Sequence, residues 1–261
     1  MSIVVTKEVS IYEIAATVLA IIAILIPIIQ WIWKKWIVNA KVKFYPTGQA
    51  TLIFNQSGSY IRINGMLESE KKAATIKKMS IVLTRKRDDR KLNLVWSFLN
   101  SPVYQSVFGS YVKTMEAAHP FRVEADSVAC AFVEYSDPSD SSGIKIRKIC
   151  SKLLPSIQQI VNDHSYDEAI ALFSKSSEYI DAKNNLLSDF FWEIGKYSVI
   201  VTVEYDKRKK KEFSYEFTVT EQNSMDLRAN IDETLIAKVK EKYQVQLALN
   251  FPIVEICESK T

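Results

Sequence analysis

From Ile14 to Trp33 the chain carries no charged side chain, and only Thr17 and Gln30 interrupt the apolar run. A helix rises about 1.5 Å per residue, so roughly 20 such residues cover a hydrocarbon core about 30 Å thick. In lipid every backbone N–H and C=O must find a partner inside the segment, and a helix supplies those partners. Pro27 withdraws one N–H, which membrane helices tolerate, and Trp31, Trp33 and Trp36 place amphipathic rings where a headgroup layer would be. The pattern predicts a short tail (1–10), a transmembrane helix over 11–36 that includes Ile14, Pro27, Gln30 and Trp33, and a soluble part over 37–261. A secretory signal fits poorly, because Lys7 and Glu8 precede the run and bulky "WIWKKW" follows it where small residues would mark a cleavage site. A buried helix of a soluble protein would show a polar stripe, which this run lacks.

Beyond the anchor the period changes to two, which places alternate side chains on opposite faces of a strand. Ile61, Ile63 and Leu67 alternate with polar neighbours. Met79, Ile81 and Leu83 lead into "RKRDDRK", and Leu92, Leu94, Trp96 and Phe98 return from it. "FRVEADSVACAFVEY" reads as one or two further strands, and "SDPSDSSG" (136–143) as a polar link. Over 153–191 the spacing turns helical. Pro155 suits a first helical position, and Ser165 to Glu168 form a capping box. The strongest alternation follows: Tyr197, Val199, Val201, Val203 and Tyr205, then "DKRKKKE", then Phe213, Tyr215, Phe217 and Val219. A helix over 224–243 and an alternating "VQLALNF" close the chain.

The stretch "GKYSVIVTVEY" resembles the late strand of immunoglobulin-like sandwiches, in which a tyrosine near the strand start braces a corner. The resemblance spans Gly195–Thr220 only and lacks paired cysteines. The periodicities predict a mainly β soluble part with added helices (α+β), and the resemblance implies that it folds as an immunoglobulin-like or related β-sandwich.

Charge sets an orientation. Lys7 alone precedes the apolar run, whereas Lys34, Lys35, Lys41 and Lys43 follow it. Basic flanks stay in the cytosol, which sends the N-terminus outside and keeps the large domain inside. Cys130, Cys150 and Cys257 are an odd set without paired spacing, as suits a reducing compartment. Asn55-Gln56-Ser57 would accept a glycan only if the domain were outside.

Catalytic patterns are scarce. The six glycines stand singly, so no phosphate-cradling or dinucleotide loop is formed, and no G-x-S-x-G elbow is present. His119 and His164 are isolated, and no cysteine or histidine spacing suits zinc. Ser69 to Lys72 satisfies S-x-x-K but sits in a charged bend without the partner motifs, and Asp137 and Asp140 lack the ligand run of a calcium loop. No cofactor, metal or catalytic residue is implied.

Two basic hairpin tips stand out, Arg85, Lys86 and Arg87 in one, Lys207, Arg208, Lys209, Lys210 and Lys211 in the other. Solubility of an exposed turn explains such runs, but a tethered domain also brings them close to an anionic leaflet. Nucleic acid is disfavoured: the net charge is only +4 and no aromatic platform accompanies the tips. Tyr104, Phe108 and Tyr111, at helical spacing in a polar connection, form a candidate partner surface. The sequence therefore points to a single-pass membrane protein whose cytosolic domain binds a protein partner or signal. The alternatives are an effector that oligomerises through its membrane helix and an enzyme whose site is assembled only in the fold.

Overall fold

A computed structural model of the chain describes residues 11–33, 39–107 and 110–259. The tail 1–10, Lys34, Lys35, Trp36 and Phe108 lie outside the described residues, as do the side chains of 100–115.

Helix α1 (Ile11–Ile32) has 22 residues with Pro27 inside, and none is buried against the rest of the chain. It is long and apolar enough to cross a membrane. Its bare isoleucines, leucines and tryptophans cost free energy in water and none in hydrocarbon.

The remaining chain runs β1 (Lys41–Asn55), β2 (Gly58–Glu70), β3 (Ala74–Arg85), β4 (Arg90–Val107), β5 (Ser110–Ala117), β6 (Phe121–Val123) and β7 (Ser127–Ser136). Helices α2 (Ser141–Asp163), α3 (Tyr166–Phe173) and α4 (Ser177–Ser188) follow. Then come β8 (Gly195–Tyr205), β9 (Lys209–Val219), α5 (Glu221–Leu235), α6 (Ala237–Lys242), β10 (Ile253–Glu255) and β11 (Cys257–Glu258).

The strands form one antiparallel sheet ordered β10-β1-β2-β7-β4-β3-β8-β9-β11, with β5 on β4 and β6 on β3. β10 and β11 are two pieces of one segment, so the path begins and ends on the same strap and the sheet is nearly closed. The strap pairs Glu255 with Gln49 of β1 and Cys257 with Glu216 of β9. Beside it Phe44 meets Phe213 and Tyr215 edge-on, and the Tyr215 hydroxyl donates to Phe44 O at 3.2 Å. Alternate residues fill the interior: Tyr197, Val199, Val201, Val203 and Tyr205 of β8 are buried, while Ser198, Thr202 and Glu204 are only half-buried. Gly65 is required where β2 crosses β1, since a Cβ there would lie 2.6 Å from Tyr45 O and 2.7 Å from the Phe44 ring.

Register gives the barrel two ends. Lys41 opposite Glu70, Ser69 opposite Ser127 and Tyr205 opposite Lys209 mark the end from which the chain leads back to α1. Asn55 opposite Gly58, Arg85 opposite Arg90 and Gly195 opposite Val219 mark the other, where the helices gather. Phe190, Phe191 and Trp192 plug that helix end. Trp192 is fully buried, donates from Nε1 to Ile53 O at 2.9 Å, and packs on Phe191, Tyr197 and Phe217. The Tyr197 hydroxyl donates to Phe191 O and Glu193 O, and burial pushes its pKa up to about 12. Ser224 Oγ donates to Trp192 O, and buried Asn230 bonds both Phe54 O and Asn250, which fixes α5 to β1 and to the strap.

Several expectations change. The two facing sheets of a sandwich are absent from this topology, because β3 pairs with both β4 and β8 and one sheet rolls round a single core. Helix α2 begins at Ser141 and carries Pro155 inside it, since burial of Leu153 and Ile157 on either side offsets a break costing about 3 kcal/mol. The capping box holds, with Glu168 Oε2 accepting from Ser165 N at 3.1 Å. "VQLALNF" forms no strand. Phe98 is 40% exposed because the β4–β7 register slips between Trp96 and Phe98, and a one-residue slip reverses a side chain's face. Tyr104 and Tyr111 lie on β4 and β5, a two-stranded arm, instead of on one helix face.

Candidate functional site

The tethered end of the barrel gathers lysines from three separate places. Only residues 34–38 separate Trp33 from Asn39, and so short a link spans at most about 20 Å. This end therefore stays near the end of α1 by chain length alone.

Each turn there is built to hold its shape. In the β8–β9 turn Asp206 and Arg208 take φ of 48° and 66°, a left-handed conformation that aspartate tolerates better than most residues. The Asp206 carboxylate accepts from Thr75 N at 3.0 Å and its N–H donates to Thr75 O at 2.9 Å, pinning the turn to the start of β3. Lys207, Arg208, Lys210 and Lys211 are exposed, and Lys209 is half-buried and donates to Asn39 Oδ1. In the β2–β3 turn Lys71 N donates to Asp126 Oδ1 at 2.9 Å, and Ser69 Oγ donates to Lys72 O at 2.7 Å. On β1, Lys41 and Lys43 both meet Glu70. The hydrogen bond from Lys43 holds the Glu70 carboxyl below its ordinary value and raises the ammonium's own pKa.

Between these turns lies an open cleft of about 560 Å³, lined by Asn39, Lys72, Thr75, Lys77, Lys207 and Lys209, with Asp206 as the one acid. Four lysines against one aspartate leave the lining with a net positive charge. Such a surface attracts anions in proportion to their charge and loses the attraction in salt.

The other basic tip lies at the helix end of the barrel. Arg85 opposes Tyr197 at the helix end of the barrel. Its side chain is 5% exposed, held by Asp88 at 2.5 Å and donating to Phe191 O at 3.1 Å. Arg85 thus braces the plug and is not an exposed tip. Lys86 is paired with Glu216 at 2.6 Å, and of the three only Arg87 is exposed without an ion pair among the described residues. Comparison with protein-family models, with curated proteins and with solved structures finds no match.

The remaining candidates are dispersed. His119 contacts Ala117 O in a connection, and the His164 carbonyl accepts from the Tyr243 hydroxyl. Among the described residues no group of three or more His, Cys, Asp or Glu is placed to hold a metal. Asp137 is occupied in its own turn, accepting from Ser139 and Ser141. Cys130, Cys150 and Cys257 are free thiols. Past Leu99, β4 pairs among the described residues with β5 alone, and it heads there toward the tethered end, carrying Tyr104. Phe108 lies outside the described residues. Sequence reading missed Lys72, Lys77 and Asp206 as parts of one cleft. "SEKK" and "DKRKKK" are each visible as charged bends, but only the pairing of β3 with β8 makes them neighbours.

Proposed function

We propose that the chain is a single-pass membrane protein whose β-barrel domain lies on the cytosolic side, with its lysine-rich end resting on an anionic leaflet. The observation that carries this reading is the register that puts the start of β1 and the Lys207–Lys211 turn at one end of the barrel. A domain held there gains about 1 kcal/mol for each basic residue near the surface. The reading assigns the domain no catalytic step. It works by binding, with the leaflet fixing its orientation and the β4–β5 arm, bearing Tyr104 and Tyr111, meeting a protein partner.

Cysteine accessibility tests the orientation. Cys130 and Cys257 are exposed on the domain. A membrane-impermeant maleimide added to intact cells should leave both unlabelled and label them after lysis; labelling before lysis would refute the cytosolic placement.

A further inference from the structure

Helix α2 lies against the α5–α6 junction without filling the space between them. A cavity of about 220 Å³ remains, lined from α2 by Ile146, Cys150, Leu154 and Ile157 and from the other side by Leu235 and Ala237. The four α2 residues fall at helical spacing on one face, so they make one continuous wall. An apolar cavity of about 150 Å³ accepts benzene, and this one holds on the order of eight to ten carbons. Thr234 belongs to the same wall.

The mouth is basic. Arg147 and Lys238 reach it with about half of each side chain exposed. α2 carries Lys145, Arg147, Lys148 and Lys152 against Asp163 alone, and α6 carries Lys238, Lys240 and Lys242 against Glu241 alone. Some of these are paired: Lys145 with Asp189, Arg147 with Asp140, Lys238 with Glu241 and Lys240 with Glu233. Among the described residues Lys148 and Lys152 of α2 and Lys242 of α6 have no ion pair, so both helices that flank the cavity carry an excess of positive charge. Arg147 gives Asp140 a bond from Nη2, and a guanidinium has five donors, so capacity remains for a second carboxylate.

We propose that this cavity binds an amphipathic carboxylic acid of about eight to ten carbons, its chain between α2 and the α5–α6 junction and its carboxylate at Arg147 and Lys238. The binding is non-covalent. Burial raises the Cys150 thiol, which keeps it protonated and a poor nucleophile at neutral pH. The site is at the helix end and does not depend on contact with a leaflet.

Cys150 reports occupancy, with exposed Cys130 and Cys257 as internal controls. The full chain in lipid nanodiscs is alkylated with iodoacetamide at mildly alkaline pH, and each cysteine is followed by peptide mass spectrometry as octanoate is titrated. At ten times its Kd, octanoate should slow Cys150 alkylation about tenfold and leave the other two unchanged. Octanol, equal in chain and lacking the charge, should need at least about tenfold more to protect. Arg147→Gln with Lys238→Gln, both half-exposed and so tolerable to the fold, should raise the octanoate midpoint by a similar factor. Unchanged Cys150 alkylation at the highest octanoate concentration the nanodiscs withstand would overturn the proposal, as would equal protection by octanol and octanoate.

Discussion

Replacing Lys207, Lys209, Lys210 and Lys211 with glutamine and Arg208 with asparagine removes five positive charges from one turn. Asparagine at 208 retains tolerance for the left-handed φ of 66°. The strand pairing does not depend on these side chains, and no residue of α1 is buried, so a domain starting at Asn39 keeps its whole core. Four of the five side chains are exposed; Lys209 is half-buried against Asn39 and contributes less. At about 1 kcal/mol per residue near an anionic surface, three to four effective charges amount to about 3–4 kcal/mol, more than about a hundredfold in affinity. The assay is flotation of the domain with phosphatidylglycerol vesicles, with circular dichroism to confirm equal folding. In about 1 M salt the Debye length falls to about 3 Å, and the two proteins should then bind equally weakly. Arg87→Gln with Lys91→Gln, at the opposite end of the barrel, should change binding less than about twofold. Equal binding by wild type and the five-fold variant at low salt would refute the docking geometry, and so would an equal loss from the helix-end pair.

Arg85→Ala should lower stability by about 1–2 kcal/mol, read as a shift in urea midpoint, because a buried side chain that bonds Phe191 O and Asp88 and lies over the Phe191 ring is removed, while Phe191 O keeps the Tyr197 hydroxyl; a change under about 0.5 kcal/mol would mean that the plug holds without it. Asp88 titrates near 2 against an ordinary 3.8, chiefly through the hydrogen bond from Arg85. Its contribution is therefore present above about pH 4 and lost as pH falls toward about 2, so Asp88→Asn should lower Tm at neutral pH and flatten the acid limb of a Tm–pH curve, and an identical acid limb would contradict the pairing. Tyr104→Ala with Tyr111→Ala should reduce recovery of a cross-linked membrane partner while leaving Tm unchanged; a fall in Tm would instead make these residues part of the packing.

Some of this molecule is written locally. Helix α1 is legible because an unbroken apolar run of about 20 residues sets both the element and its length without reference to any neighbour. The β8–β9 hairpin is legible because strict alternation from Tyr197 to Tyr205 and from Phe213 to Val219 encodes both a strand and the face it buries, and the turn between them is short. The capping box at Ser165 is likewise a bond between residues three apart. What lay beyond reach was every contact that joins distant segments. Sequence periodicity tells which face of a strand is buried but not which strand lies beside it, so one rolled sheet and two facing sheets share the same pattern. The strap at Ile253–Glu258 is too short to show a period and becomes strand only because β1 and β9 each offer it an unpaired edge. Arg85 reads as a solvated turn residue until Phe191, more than a hundred positions away, presents a carbonyl to it. The lysine cleft is the same case: Thr75 and Asp206 exchange hydrogen bonds across 131 positions, and that pairing alone brings Lys72 beside Lys207. Local free energies of a few tenths to one kcal/mol select helix or strand, whereas the choice of neighbour is made by burial of the whole core, which no short window of sequence contains.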